Sequence, residues 1–138
     1  MIGKHILLTL MVGAAVGVSI WKYAPAQWSA MQIAGVCLLS AGFVLWTVAR
    51  FQLGASFAIS AQARHLVTHG LYSKIRNPIY VFGALTIAGA FIWANRPWLF
   101  LVFAVLIPLQ VYRSRKESEV LEKTFGAAYL EYKRKTWF

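Results

Sequence analysis

Basic residues divide the chain into four long apolar stretches. The first runs from His5 to Trp21 between Lys4 and Lys22, and the second is uncharged from Tyr23 to Ala49, ending at Arg50. The third, Asn77 to Asn95, lies between Arg76 and Arg96, and the fourth goes from Pro97 to Tyr112, ending at Arg113. A hydrocarbon core of roughly 30 Å takes about 20 helical residues to cross. The first and fourth stretches sit at the short end of that range, so each draws on flanking residues or a thinned bilayer. The second predicts a helix over about Ser29 to Phe51, after a turn around Pro25. The pattern predicts an all-α fold, an integral-membrane bundle of four transmembrane helices forming one domain over 1–138. Helices one and two fall in 1–51, a loop in 52–77, a helical hairpin in 78–112 and a C-terminal arm in 113–138.

Gly13 and Gly17 make a GxxxG step, and Gly35 and Gly42 lie two turns apart, so these small residues are expected at helix contacts. Trp21, Trp28, Trp93, Trp98 and Tyr112 stand where an aromatic belt belongs, and Pro108 is expected to bend the fourth helix. Ala24-Pro25-Ala26 after the first stretch has the look of a leader cleavage site, but Lys22 intervenes, and the reading is a retained helix.

Composition agrees with a membrane protein: 59% of the residues are hydrophobic and 13% charged, against about 25% charged in soluble domains. There is no Asp, and the four acids, Glu117, Glu119, Glu122 and Glu131, all fall near the C-terminal end. Catalytic Asp triads, Asp-based phosphoryl transfer and carboxylate metal cages are thereby excluded. The single Cys37 forms no intramolecular disulfide. On the four-helix topology, Lys4, Arg50, Arg64, Lys74, Arg76 and every cation from Arg113 onward share one side, leaving Lys22 and Arg96 on the other. That asymmetry predicts a multi-pass protein of the cytoplasmic membrane with both termini in the cytoplasm. The excess of positive charge is then topology, and no nucleic acid is expected as a partner.

Two segments are too polar to span, Gln52 to Tyr80 and Arg113 to Phe138, and they lie on the same predicted face. Polar and aromatic groups converging at one membrane face are the natural place for a site. Asn77-Pro78 reads as a helix start, with Asn as N-cap and Pro at the first helical position. In the arm, a helix is expected from Tyr112 to Phe125 with Gly126 as its cap, then a second from Ala127 to Lys135 carrying Tyr129 and Tyr132. Glu119 with Lys123, and Arg113 with Glu117, are spaced as i,i+4 pairs. His65 and His69 have metal-pair spacing but no third ligand, so no metal is expected.

Two blocks carry a resemblance. Leu66-Val67-Thr68-His69-Gly70-Leu71-Tyr72, followed by Arg76-Asn77-Pro78-Ile79-Tyr80-Val81, resembles the LVTxGxY…R(H/N)PxYxG block of the isoprenylcysteine carboxyl methyltransferase and phospholipid methyltransferase superfamily. Arg113, Glu117, Leu121, Phe125-Gly126, Tyr129 and Tyr132 fall at the spacing of its RxxxEExxLxxxFGxxYxxY tail. The resemblance implies an integral-membrane enzyme that uses S-adenosylmethionine as cofactor. By motif, Arg64, His65, Leu66, Val67 and Tyr72 would line the cofactor pocket from the loop. Asn77, Pro78, Ile79 and Tyr80 would wall it from the third helix. Glu117 would be the acidic cofactor ligand and Arg113 would face the acceptor substrate, these two being the catalytic pair. Asn77 stands where carboxyl methyltransferases usually have His, and Ser118 replaces the second Glu.

The chemistry is consistent with those residue types. A carboxylate suits the cofactor's cationic and hydroxyl groups, backbone N–H groups at a helix start suit its carboxylate, and apolar and aromatic side chains suit adenine. The expected acceptor is a lipid or a prenylated or otherwise lipophilic molecule, most like protein S-isoprenylcysteine, whose carboxylate Arg113 would hold. The alternatives are N-methylation of a phospholipid amine, S- or O-methylation of a small lipophilic substrate, and, from a different class, a non-catalytic membrane scaffold.

Overall fold

The computed structural model describes residues 2–54 and 66–138. Its elements are helical: α1 (Ile2–Lys22), α2 (Ala30–Leu53), a 3-10 turn at Gly70–Ser73, α3 (Pro78–Trp93), a 3-10 segment at Pro97–Val102, α4 (Phe103–Phe125) and α5 (Ala127–Lys135). No strand is formed among the described residues, and one isolated parallel bridge joins Ile75 to Trp137.

Local chemistry sets the boundaries. Ser29 caps α2 in a capping box: its side chain accepts from the Gln32 N–H while the Gln32 side chain accepts from the Ser29 N–H. Pro78 opens α3 at the position where a missing N–H costs nothing. Asn77 is not the side-chain cap expected of it. Its ψ of 60° departs from the extended backbone of a working cap such as Ser29 at 153°, and the side chain is directed elsewhere.

Helices α2 and α3 form the most extensive packing in the fold. Gly35 and Gly42 of α2 and Gly89 of α3 are buried in it. A Cβ at Gly89 would collide with the Leu39 backbone, and one at Gly35 with the backbone of Trp93, so the two helices touch main chain to main chain. Close approach of this kind is how helices associate where the solvent is itself apolar. Gly13 of α1 faces the Phe43 ring, whereas Gly17 has nothing within 4 Å; the expected GxxxG contact is made at one end alone.

The outside of the helices is apolar: Leu7, Leu10 and Met11 of α1, Val44 of α2, and Val105 and Ile107 of α4 are all exposed. The largest fully buried side chains, Tyr129 and Pro78, lie instead at the polar end. This inversion of the soluble pattern is what lipid as solvent calls for. Among the described residues two helical stretches are long and apolar enough to cross a membrane, Ala30–Leu53 and Pro97–Phe125. Ile6–Lys22 and Pro78–Trp93 are shorter apolar helices. The fourth stretch is longer than the sequence pattern implied, because α4 runs without a break from the apolar segment into the arm, through Pro108. The third is shorter, because Asn95 takes a positive φ of 52° and ends it.

The backbone contacts set a stability difference that separates two glycines. Gly89→Ala should destabilise the protein by about 1–3 kcal/mol through overpacking, whereas Gly17→Ala should be neutral or stabilising by up to about 1 kcal/mol through helix propensity. Thermal unfolding of the two variants in detergent checks this.

Candidate functional site

The polar end gathers three chain segments: the end of α2, the stretch from Leu66 into the start of α3, and the arm. Gln52 on the last turn of α2 receives a hydrogen bond from the Leu71 N–H through Oε1 at 2.8 Å. The turn there depends on Gly70, whose φ of +60° is costly for other residues, and where a Cβ would collide with Gln52 itself. Gln52 thus fixes the 3-10 turn that carries Tyr72.

The arm closes on the same segment from the other side. Tyr132 donates its hydroxyl proton to the Tyr72 carbonyl at 2.8 Å, across 60 positions of sequence. The Trp137 N–H donates to the Lys74 carbonyl, the Arg76 N–H to the Trp137 carbonyl, and the Asn77 N–H to the Phe138 carbonyl, each at 2.8 Å. The Asn77 side-chain amide bonds twice, to Ser114 Oγ at 2.8 Å and to the Phe138 carbonyl at 3.1 Å. Asn77 therefore joins α3, α4 and the tail at one point, and its Oδ1 is left as acceptor. Ser114 is 5% exposed, so that bond is made away from water.

Tyr80, one turn into α3, donates its hydroxyl to Glu117 Oε1 at 2.5 Å, a short charge-assisted bond. Arg113 lies one turn before Glu117 but forms no ion pair with it; among the described residues the ion pair found is Lys135–Glu131. Glu119 and Lys123 likewise stay apart. Tyr80 wins Glu117 because a phenol on a rigid helix loses little freedom on bonding, while an exposed i,i+4 ion pair is worth only about 0.3–0.5 kcal/mol.

Of the residues singled out from sequence, Tyr72 is buried and Pro78 fully so; Leu66, Val67, Asn77, Ile79 and Tyr80 are half-buried, and Arg113 and Glu117 exposed. Tyr80 and Glu117 are brought into contact, and Tyr72 lies near both. Arg64 and His65 lie outside the described residues. Gln52, Ser114 and Tyr132 were not singled out as site residues: nothing local marks the first two, and Tyr132, a position of the tail motif, has its partner 60 positions away.

Burial, then the neighbouring Tyr132, Glu117 and Tyr80, lifts Tyr72 well above the ordinary tyrosine value. Burial, with Tyr129 adding to it and Arg76 pulling the other way, pushes Tyr132 up to about 12. Two buried polar atoms here have no hydrogen-bond partner among the described residues, Tyr129 Oη and Arg76 Nε.

Two sequence blocks separated by a helical hairpin thus meet in space, joined by the Tyr80–Glu117 bond. The profile of the family described as phospholipid methyltransferase matches residues 30–128. The chain belongs to the phospholipid methyltransferase family. That family falls within the superfamily whose motifs the two blocks resemble. No curated protein and no solved structure shows a significant match to the chain. The family match begins at the first residue of α2, so α1 lies outside it.

The buried tyrosine makes stability depend on pH. Tyr132 is held protonated by the fold, while an unfolded tyrosine loses its proton near ~10. Its contribution is complete below about pH 10 and is lost as pH rises through about 12. Thermal midpoints should fall across that window. Tyr132→Phe, which leaves the Tyr72 carbonyl unpaired, should start lower by about 1–3 kcal/mol and lose less across the same window.

Proposed function

We propose that this protein uses S-adenosylmethionine to methylate a lipophilic acceptor at the cytoplasmic face of a membrane that its helices span four times. The family match supports the reaction class, and the split of the cations, twelve on one side of the four-helix topology and two on the other, supports the orientation. The spans would use the shorter apolar helices Ile6–Lys22 and Pro78–Trp93 together with the two long ones, as thinned or tilted bilayers allow.

The observation that carries the reading is the Tyr80–Glu117 bond, which sets an exposed carboxylate beside the start of α3 and the Tyr72 turn. The residues fit the cofactor. Glu117 has its second carboxylate oxygen free of hydrogen bonds from the described residues, which suits an ammonium or ribose hydroxyl. Leu66, Val67, Tyr72 and Tyr80 offer the apolar and aromatic surface that adenine needs. Asn77 Oδ1 is an acceptor, and Pro78 and Ile79 complete the wall. Arg64 and His65 would join from the loop by motif. S-adenosylmethionine supplies a sulfonium-bound methyl group.

The chain's own part is to bind and orient, and positioning accounts for much of the rate of an in-line displacement. Arg113, exposed and forming no ion pair among the described residues, holds an acceptor carboxylate by a charge-assisted contact. Such a carboxylate, as in a prenylcysteine, is already ionised and needs no base. The family description favours a second reading, a phospholipid amine; there a proton must leave, and Glu117 is the carboxylate at hand.

Glu117→Ala should raise the dissociation constant for S-adenosylmethionine or its demethylated product by 10-fold or more, on the order of the 1.5–3 kcal/mol of a charged hydrogen bond. Arg113→Ala should leave that constant within about twofold, and lower kcat/KM for the acceptor by a comparable free energy. Calorimetry and a labelled-methyl assay against prenylcysteine, phosphatidylethanolamine and small thiols measure both. Absence of cofactor binding at millimolar concentration would make the chain a non-catalytic scaffold.

A further inference from the structure

The arm presents a second surface, facing away from the site. On α5 the two tyrosines turn inward, Tyr129 fully buried and Tyr132 nearly so. Away from them the helix exposes Leu130 (41% exposed), Glu131, Lys133, Arg134 and Lys135, with Trp137 (65% exposed) just past its end. Lys133 and Arg134 form no ion pair among the described residues, and neither do Arg115 and Lys123 on the preceding helix. Trp137 is not loose: its N–H and carbonyl are both bonded to the segment before α3. The fold therefore holds a large indole and an aliphatic side chain outward, beside three cations and a single acid, Glu131, which is taken up by Lys135 and leaves Lys133 and Arg134 in excess.

We propose that this surface of α5 and the tail docks on the anionic headgroups of the bilayer in which the helices are embedded. Charge complementarity selects the occupant: four acids cannot neutralise fourteen cations, and a leaflet of anionic lipid supplies what the chain lacks. The exposed Trp and Leu beside the cations select a lipid interface over a free anion, because such side chains gain by entering the headgroup region. The β-bridge at Trp137 and the continuity of α4 with the apolar segment place the surface at the membrane end of the arm. Docking there would brace the segment carrying Tyr72, through Lys74 and Arg76, from the leaflet side. The proposal rests on the membrane reading of the chain and not on methyl transfer.

The experiment uses the full chain in bilayers whose lipids are brominated close to the headgroup, with the Trp137 fluorescence isolated as the difference between the natural protein and Trp137→Phe. Brominated phosphatidylglycerol should quench that component severalfold more than brominated phosphatidylcholine. High salt, or Lys133→Glu with Arg134→Glu, should reduce the first to the level of the second, since exposed charges are screened by ions. Equal quenching by the two lipids, or a Trp137 quenched only by aqueous acrylamide, would overturn the proposal. Neither readout requires cofactor, so its failure leaves the methyltransferase reading standing, and loss of cofactor binding leaves this one standing.

Discussion

A phenol and a carboxylate, Tyr80 and Glu117, meet at 2.5 Å across the two ends of a helical hairpin, 37 positions apart in sequence. The bond joins the start of α3 to the middle of α4 at the level where the apolar part of the hairpin gives way to charge. Around it the Asn77 amide ties α3 to Ser114 of α4, and the carbonyls of Trp137 and Phe138 tie the tail to the segment before α3. Each is of ordinary strength, roughly 0.5–1.5 kcal/mol net. Together they hold an exposed acid beside a buried tyrosine turn, an arrangement that neither segment could keep alone.

That lattice needs a rigid base, and the α2–α3 contact provides it. Main-chain contact at Gly35 and Gly89 fixes how α3 stands against α2, so the last turn of α2 puts Gln52 under the Leu71 N–H. The placement of Tyr72 thus follows from small residues buried deep in the apolar bundle. Packing in the membrane and hydrogen bonding at its edge are parts of one structure.

Much of this was legible in the chain. The start of α2 at Ser29, the Pro78 start, the Gly126 boundary between α4 and α5, and the meeting of the two motif blocks all follow from local chemistry or from the family resemblance. The misreadings share a cause. Arg113–Glu117 and Glu119–Lys123 were favoured by helical spacing, but local ion pairs are weak, and for Glu117 a tertiary partner prevailed. Asn77 does stand at the N-cap position read for it, but its side chain caps nothing; its partners lie on α4 and the tail. Gln52 and Ser114 carry no local signature, and Tyr132 stood out only as a position of the tail motif, since what makes the three matter is 19, 37 and 60 positions away.

The central claim is that the segment before α3 and the C-terminal arm act as the two halves of one cofactor site. Hydrogen exchange of the full chain in detergent, with and without the demethylated cofactor, tests it most directly. Slowed exchange in both 66–80 and 113–138, at the same ligand concentration, is the result expected. Slowing in neither half, or in one alone while the other exchanges as before, would contradict it.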